Sequence, residues 1–99
     1  MKVTINSVHF KADKKLETFI ITKVEKLHTL FEGILGSEVT LKLENTEAPD
    51  NKVAEIRLLI PGNDLYAKKQ CVTFEEASDQ VVEALKKQLI KYKEKIRGI

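Results

Sequence analysis

Between positions 86 and 97 the chain carries Lys86, Lys87, Lys91, Lys93, Lys95 and Arg97, with Glu94 as the one acid among them. That is a local net charge of +5 on a chain whose total is +2, so residues 1–85 carry 11 basic against 14 acidic side chains, a net of −3. Cations gathered this densely in one segment are suited to neutralising phosphates. Other chemistry is poorly provided for. His9 and His28 are the only histidines; they fall on different elements with no cysteine or carboxylate at ligand spacing, whereas a zinc site needs about four such ligands. Cys71 alternates inward with Leu65 and Ala67, the pattern of a buried structural thiol rather than a nucleophile. There is no Walker loop, no G-x-G-x-x-G and no nucleophile elbow. The carboxylates are scattered and form no acid–base pair. The residues argue against an enzyme, and they imply no cofactor and no metal.

The basic segment must be held by a helix. Thr73-Phe74-Glu75-Glu76 has the form of a capping box. After it Ala77, Val81, Leu85, Leu89, Tyr92 and Ile96 recur at steps of three and four, one face of a long amphipathic helix. Glu75, Glu76, Asp79 and Glu83 occupy its first half and the cations its second. Compensation of the helix dipole accounts for cations in a last turn, but Lys86 and Lys87 lie about three turns from the end. Projected at about 100° per residue from Leu85, Lys86, Lys93 and Arg97 fall near 80–120° and Lys87, Lys91 and Lys95 near 200–280°. Both shoulders of the helix are therefore positive. A nucleic-acid groove with phosphates on either side fits this arrangement, and a merely solvated helix is the competing reading. Tyr92 belongs to the core face, which leaves phosphate and 2′-hydroxyl contact, recognition by shape, rather than base stacking.

The remaining elements follow from periodicity. Val3 and Ile5 alternate with polar neighbours as a short strand. Asp13 is placed to cap a helix whose apolar face is Leu16, Phe19, Ile20, Val24, Leu27 and Phe31, running to about Glu32 and closed by Gly33 and Gly36. Lys23 and Lys26 lie three apart on its flank and extend the basic surface, or else pair with Glu17 or Glu25 as ordinary solvated lysines. Strands follow at Glu38–Glu44, around Ala54–Ile60, and from Leu65 to Val72. They are separated by the polar, proline-broken run 45–51 and by the Pro61-Gly62-Asn63-Asp64 hairpin. The expected architecture is α+β in the order β-α-β-β-β-α. It is a four-stranded antiparallel sheet with two helices packed on one face, resembling a double-stranded-RNA-binding domain.

Ninety-nine residues make a single domain, 1–99, and 42% hydrophobic with 32% charged is ordinary for a globular protein. No stretch approaches the roughly 18 apolar residues of a membrane span. The start, MKVTINSV, has no apolar signal region. A lone cysteine suits a reducing compartment. Together these lead to the expectation of a cytoplasmic protein, without a membrane or small-molecule partner and monomeric when free.

The segments Leu16-Glu17-Thr18-Phe19, Lys23-Val24-Glu25-Lys26-Leu27 and Ala84-Leu85-Lys86-Lys87-Gln88-Leu89-Ile90-Lys91-Tyr92-Lys93-Glu94-Lys95 resemble the ribosome hibernation-promoting factor family. That family includes the ribosome-associated inhibitor and the sigma-54 modulation proteins. Its last-helix pattern of leucine, basic residues, Gln-Leu and Lys-x-Lys-x-Lys is met by Leu85, Lys87, Gln88, Leu89, Lys91, Lys93 and Lys95. Its first-helix pattern is met by Lys23, Lys26 and Leu27. The sequence departs at Thr73-Phe74-Glu75, where the family often has Asp-x-Tyr, and at Ala84, where a lysine is common.

The resemblance implies a non-catalytic protein that binds small-subunit rRNA in the cleft between head and body during slow growth. Such a protein blocks mRNA and tRNA by occupying their path. It makes Lys23, Lys26, Lys87, Lys91, Lys93 and Lys95 the expected rRNA contacts; Lys86 and Arg97 are added on charge and geometry. With the sequence read as ending at Ile99, the resemblance leads to the expectation of a short form of the family. Two alternatives stay open, a general double-stranded-RNA or DNA-binding module and a protein-interaction module of the transcription-modulator kind.

Overall fold

Asp13 starts the first helix as its side chain dictates: its carboxylate accepts the backbone N–H of Leu16 at 2.8 Å, satisfying a donor with no partner inside the helix. The computed structural model describes residues 2–96, and the side chains of 2–95. Its elements are β1 (Lys2–Val8), α1 (Lys14–His28), β2 (Gly36–Leu43), β3 (Lys52–Leu59), β4 (Leu65–Cys71) and α2 (Phe74–Ile96). The order and count of elements are those expected. The sheet runs β1-β2-β3-β4.

One expectation fails. The sheet is mixed, because β1 and β2 are parallel, Ile5 opposite Val39, while β2–β3 and β3–β4 are antiparallel. The reason is α1. A helix between two neighbouring strands carries the chain back to the end where the first strand began, so the next strand must run the same way. Alternation within a strand reveals its faces but not its direction.

α1 is also shorter than its apolar spacing suggests. It ends at His28 rather than near Glu32, and Gly36 opens β2 instead of closing the helix. The Thr29 hydroxyl bonds the Lys26 carbonyl at 2.7 Å, and the Leu30 N–H turns back to the Leu27 carbonyl at 3.0 Å. This local hydroxyl-to-backbone bond competes with helix continuation. Phe31, which matched the helical period, packs its ring against Tyr92 of α2 instead, edge-on at 5.6 Å.

At the start of α2 the Thr73 hydroxyl accepts the Glu76 N–H at 3.0 Å, the first half of the expected capping box. The Pro61-Gly62 turn closes with the Asn63 N–H on the Ile60 carbonyl at 3.1 Å. Gly62 sits there at φ 81°, a conformation that proline followed by glycine suits.

Both helices cover one face of the sheet. Ile20, Val24 and Leu27 of α1 and Ala77, Val81, Leu85 and Leu89 of α2 meet Val39, Leu41, Ala54, Ile56 and Leu58 in one core. Cys71 is buried there, and burial with the neighbouring Glu76 carboxylate pushes its thiol up, away from reactivity. Neither described helix lies on the opposite face of the sheet. On it the Tyr66 hydroxyl donates to Glu55 at 3.1 Å, and Lys68 lies 3.7 Å from the same carboxylate.

His28 joins the end of α1 to the start of β2, its Nε2 lying 2.8 Å from the Ser37 hydroxyl. The residue is buried, and its Nδ1 has no hydrogen-bond partner among the described residues. Burial pushes its pKa below the usual 6.5, an effect the Glu25 carboxylate partly offsets. The folded state therefore binds this proton less readily than the unfolded chain. The His28 contribution to stability is fully present above pH 6.5 and is lost as pH falls below it, toward the lowered folded value. Thermal melts between pH 7.5 and 5.5 check this. The wild type is expected to lose more stability over that interval than His28→Gln, whose side chain does not titrate.

Candidate nucleic-acid interface

α1 and α2 lie side by side and run the same way. Lys23 meets Asp79 near the upper part of the pair, and Leu30 meets Lys93 at its lower end. Between them opens a groove of about 390 Å3. Its lining includes Lys23, Lys26 and Thr29 from the α1 side and Asp79, Glu83 and Lys86 from α2, with Leu27, Leu30 and Val82 as its apolar part. The sequence placed the α1 lysines on the helix flank, and α1 docked beside α2 turns that flank toward Lys86.

The groove is not uniformly basic. Lys23 Nζ is 2.8 Å from Asp79 Oδ1 and 5.5 Å from the centre of the Phe19 ring. Its partner is therefore neither Glu17 nor Glu25 but a carboxylate of the other helix. Lys26 and Lys86 form no ion pair among the described residues. Sequence reasoning missed the part played by Asp79 and Glu83. The signal was present in the spacing: Asp79, Lys86 and Lys93 are seven residues apart, two turns, and so share the flank of α2 that faces α1.

Lys93 has a structural duty. Its Nζ donates to the Leu30 carbonyl at 2.8 Å in a half-buried position, tying the loop after α1 to the last turns of α2. The bond completes a carbonyl near the end of α1 and places a cation there. Lys93→Ala is expected to cost about 1 kcal/mol of stability, while Lys87→Ala stays within about 0.5 kcal/mol. Chemical denaturation of the two variants checks the difference.

The second basic shoulder faces away from α1. Lys87, Lys91 and Lys95 are exposed, and the helix beside them is anchored to β4 by Gln88, whose amide donates to the Tyr66 carbonyl at 2.9 Å. Ile90 stands on the crest between the two shoulders, away from the apolar stripe, and is 45% exposed. Tyr92 lies on the core side of the helix, half-buried against the core, as its spacing requires. Arg97 lies outside the described residues. Of the expected contacts, the structure gathers Lys23, Lys26 and Lys86 around one groove. It puts Lys93 in a backbone bond at the groove's end and leaves Lys87, Lys91 and Lys95 as a separate exposed row.

No group of three or more potential metal ligands occurs among the described residues. Nor is any described helix long and apolar enough to cross a membrane. What the arrangement offers is two rows of ammonium groups on one helix, one beside the interhelical groove and the other facing away from it, suited to phosphates at more than one distance.

Residues 3–97 match the family described as sigma 54 modulation protein / S30EA ribosomal protein. The chain belongs to that family. It is similar to the ribosome hibernation promoting factor of Pseudomonas putida, 27% identical over 99 residues that span all of this chain and 93% of that protein. It is also similar to the factor of the same name from Salmonella typhimurium, 26% identical over 97 residues and 98% of each chain. Among solved structures it superposes on a ribosomal subunit interface protein from Coxiella burnetii with a TM-score of 0.83, at 16% identity over 94% of this chain and 98% of that one. The N-terminal domain of Protein Y from Thermus thermophilus gives a TM-score of 0.79, at 19% identity over 93% and 99% of the two chains. These two structures share its fold, the mixed four-stranded sheet with both helices on one side.

Proposed function

We propose that this protein is a ribosome hibernation factor. It binds small-subunit rRNA near the decoding region and the mRNA channel, and it silences idle ribosomes by filling the path of mRNA and tRNA. The proposal draws on the family membership and on relatives named for ribosome hibernation. The observation that carries it is the pair of cationic rows on α2, one of which shares its groove with Lys23 and Lys26 of α1. Lys86 and Lys26 serve phosphates that reach into the groove, and Lys87, Lys91 and Lys95 serve phosphates on the far side. Lys93 contributes charge at the groove's end while holding the Leu30 loop. The action is steric, so it requires no catalytic group.

Co-sedimentation with purified small subunits at increasing salt tests the reading. If about five phosphates are neutralised, log K against log[salt] should fall with a slope of about −3.5 to −4.5. Binding that is indifferent to salt, or equally tight to a random RNA duplex in competition, would contradict it.

A further inference from the structure

We propose that Asp79 acts as an internal stand-in for a phosphate, occupying Lys23 in the free protein, so that RNA entering the interhelical groove must displace it. This rests on the rRNA-binding reading above and adds a residue that sets its strength. The geometry is specific. Lys23 Nζ lies 2.8 Å from Asp79 Oδ1, on the neighbouring helix, with the Phe19 ring centre 5.5 Å away. An ammonium has three donors and prefers an anionic oxygen, carboxylate or phosphate alike. Held against this carboxylate, Lys23 already has its charge paired and one donor committed where a phosphate would otherwise sit.

Lys26 and Lys86 line the same groove with no ion-pair partner among the described residues. A phosphodiester drawn to them arrives beside Asp79 and is repelled by it. Asp79 thus acts twice in one direction, withdrawing a cation and adding an anion. The pair can still exchange. Its side chains are 31% and 51% exposed, so water and ions reach both partners, and such pairs hold only weakly. Phosphate contact made simultaneously by Lys26 and Lys86 supplies what the exchange requires. Glu83 provides an internal comparison: it lines the groove as well but has no ion pair among the described residues. Removing its charge changes the field of the groove without releasing a lysine.

The test measures small-subunit binding of wild type, Asp79→Asn, Glu83→Gln, Lys23→Gln and the double variant Lys23→Gln/Asp79→Asn across a salt series. Asp79→Asn is expected to bind about two- to five-fold tighter than Glu83→Gln, the range an exposed ion pair sets. Its salt slope should match that of Glu83→Gln, because Lys23 reaches a phosphate in both complexes once the pair is broken. In the Lys23→Gln background the advantage of Asp79→Asn should shrink to that of Glu83→Gln. Melting curves establish that each variant is folded. The inference is overturned if Asp79→Asn binds no tighter than Glu83→Gln, or if its full gain survives without Lys23. A wild type that fails to bind small subunits would instead remove the functional reading beneath it.

Discussion

Reversing three charges on the outward shoulder, Lys87→Glu, Lys91→Glu and Lys95→Glu together, is expected to abolish association with the small subunit while leaving the fold intact. The magnitude follows from counterion release. At a slope of about −0.8 per phosphate, each contact contributes about 0.65 log units at 0.15 M salt relative to 1 M, so three lost contacts weaken binding by about 100-fold. Replacing each cation by an anion adds repulsion to that loss. The fold should not notice. All three side chains are exposed and none forms an ion pair among the described residues, so the melting temperature is expected to stay within a few degrees. Co-sedimentation and circular dichroism on the same preparation check both halves. If the variant binds like the wild type, this row of lysines takes no part in recognition.

The second large effect lies beneath the surface. Leu89 is fully buried and shares a core with Val39, Leu41 and Ile56 under the basic half of α2. Leu89→Ala is expected to cost about 2–5 kcal/mol, through lost burial and the cavity left behind. Against a total of about 5–15 kcal/mol for a domain of this size, that is a large share. A fall in melting temperature of about 10–30 °C should follow. At a temperature where the variant remains folded, its binding should stay near wild type, because Leu89 positions the lysines without touching RNA. Urea denaturation and low-temperature co-sedimentation separate the two roles. Loss of binding in a folded Leu89→Ala protein would mean that recognition depends on rigidity of the helix beyond the placement of its charges.

The elements and their burial were legible because they depend on local pattern. The steps of three and four from Ala77 to Tyr92 identified the buried stripe of α2, and Asp13 and Thr73 marked the two helix starts. What depended on pairing across the chain was not legible. The parallel β1–β2 pair follows from where α1 delivers the chain, which alternation in Val3 and Ile5 cannot convey. The end of α1 was misplaced because Phe31 keeps the helical period while packing on another helix. The site was half readable. Helical projection separated Lys86 and Lys93 from Lys87, Lys91 and Lys95, and the structure keeps that division, with the first two toward α1. The projection could not show that Lys93 is tied to a backbone carbonyl, or that Lys23 faces Asp79, since both depend on how closely α1 and α2 approach.

Chemical footprinting of small-subunit rRNA with and without the protein tests the central claim most directly. Protection is expected only in the cleft between head and body, where mRNA and tRNA lie, and is expected to disappear with the Lys87→Glu, Lys91→Glu, Lys95→Glu variant. An unchanged rRNA pattern in subunits that carry the protein, or protection away from that cleft, would contradict it.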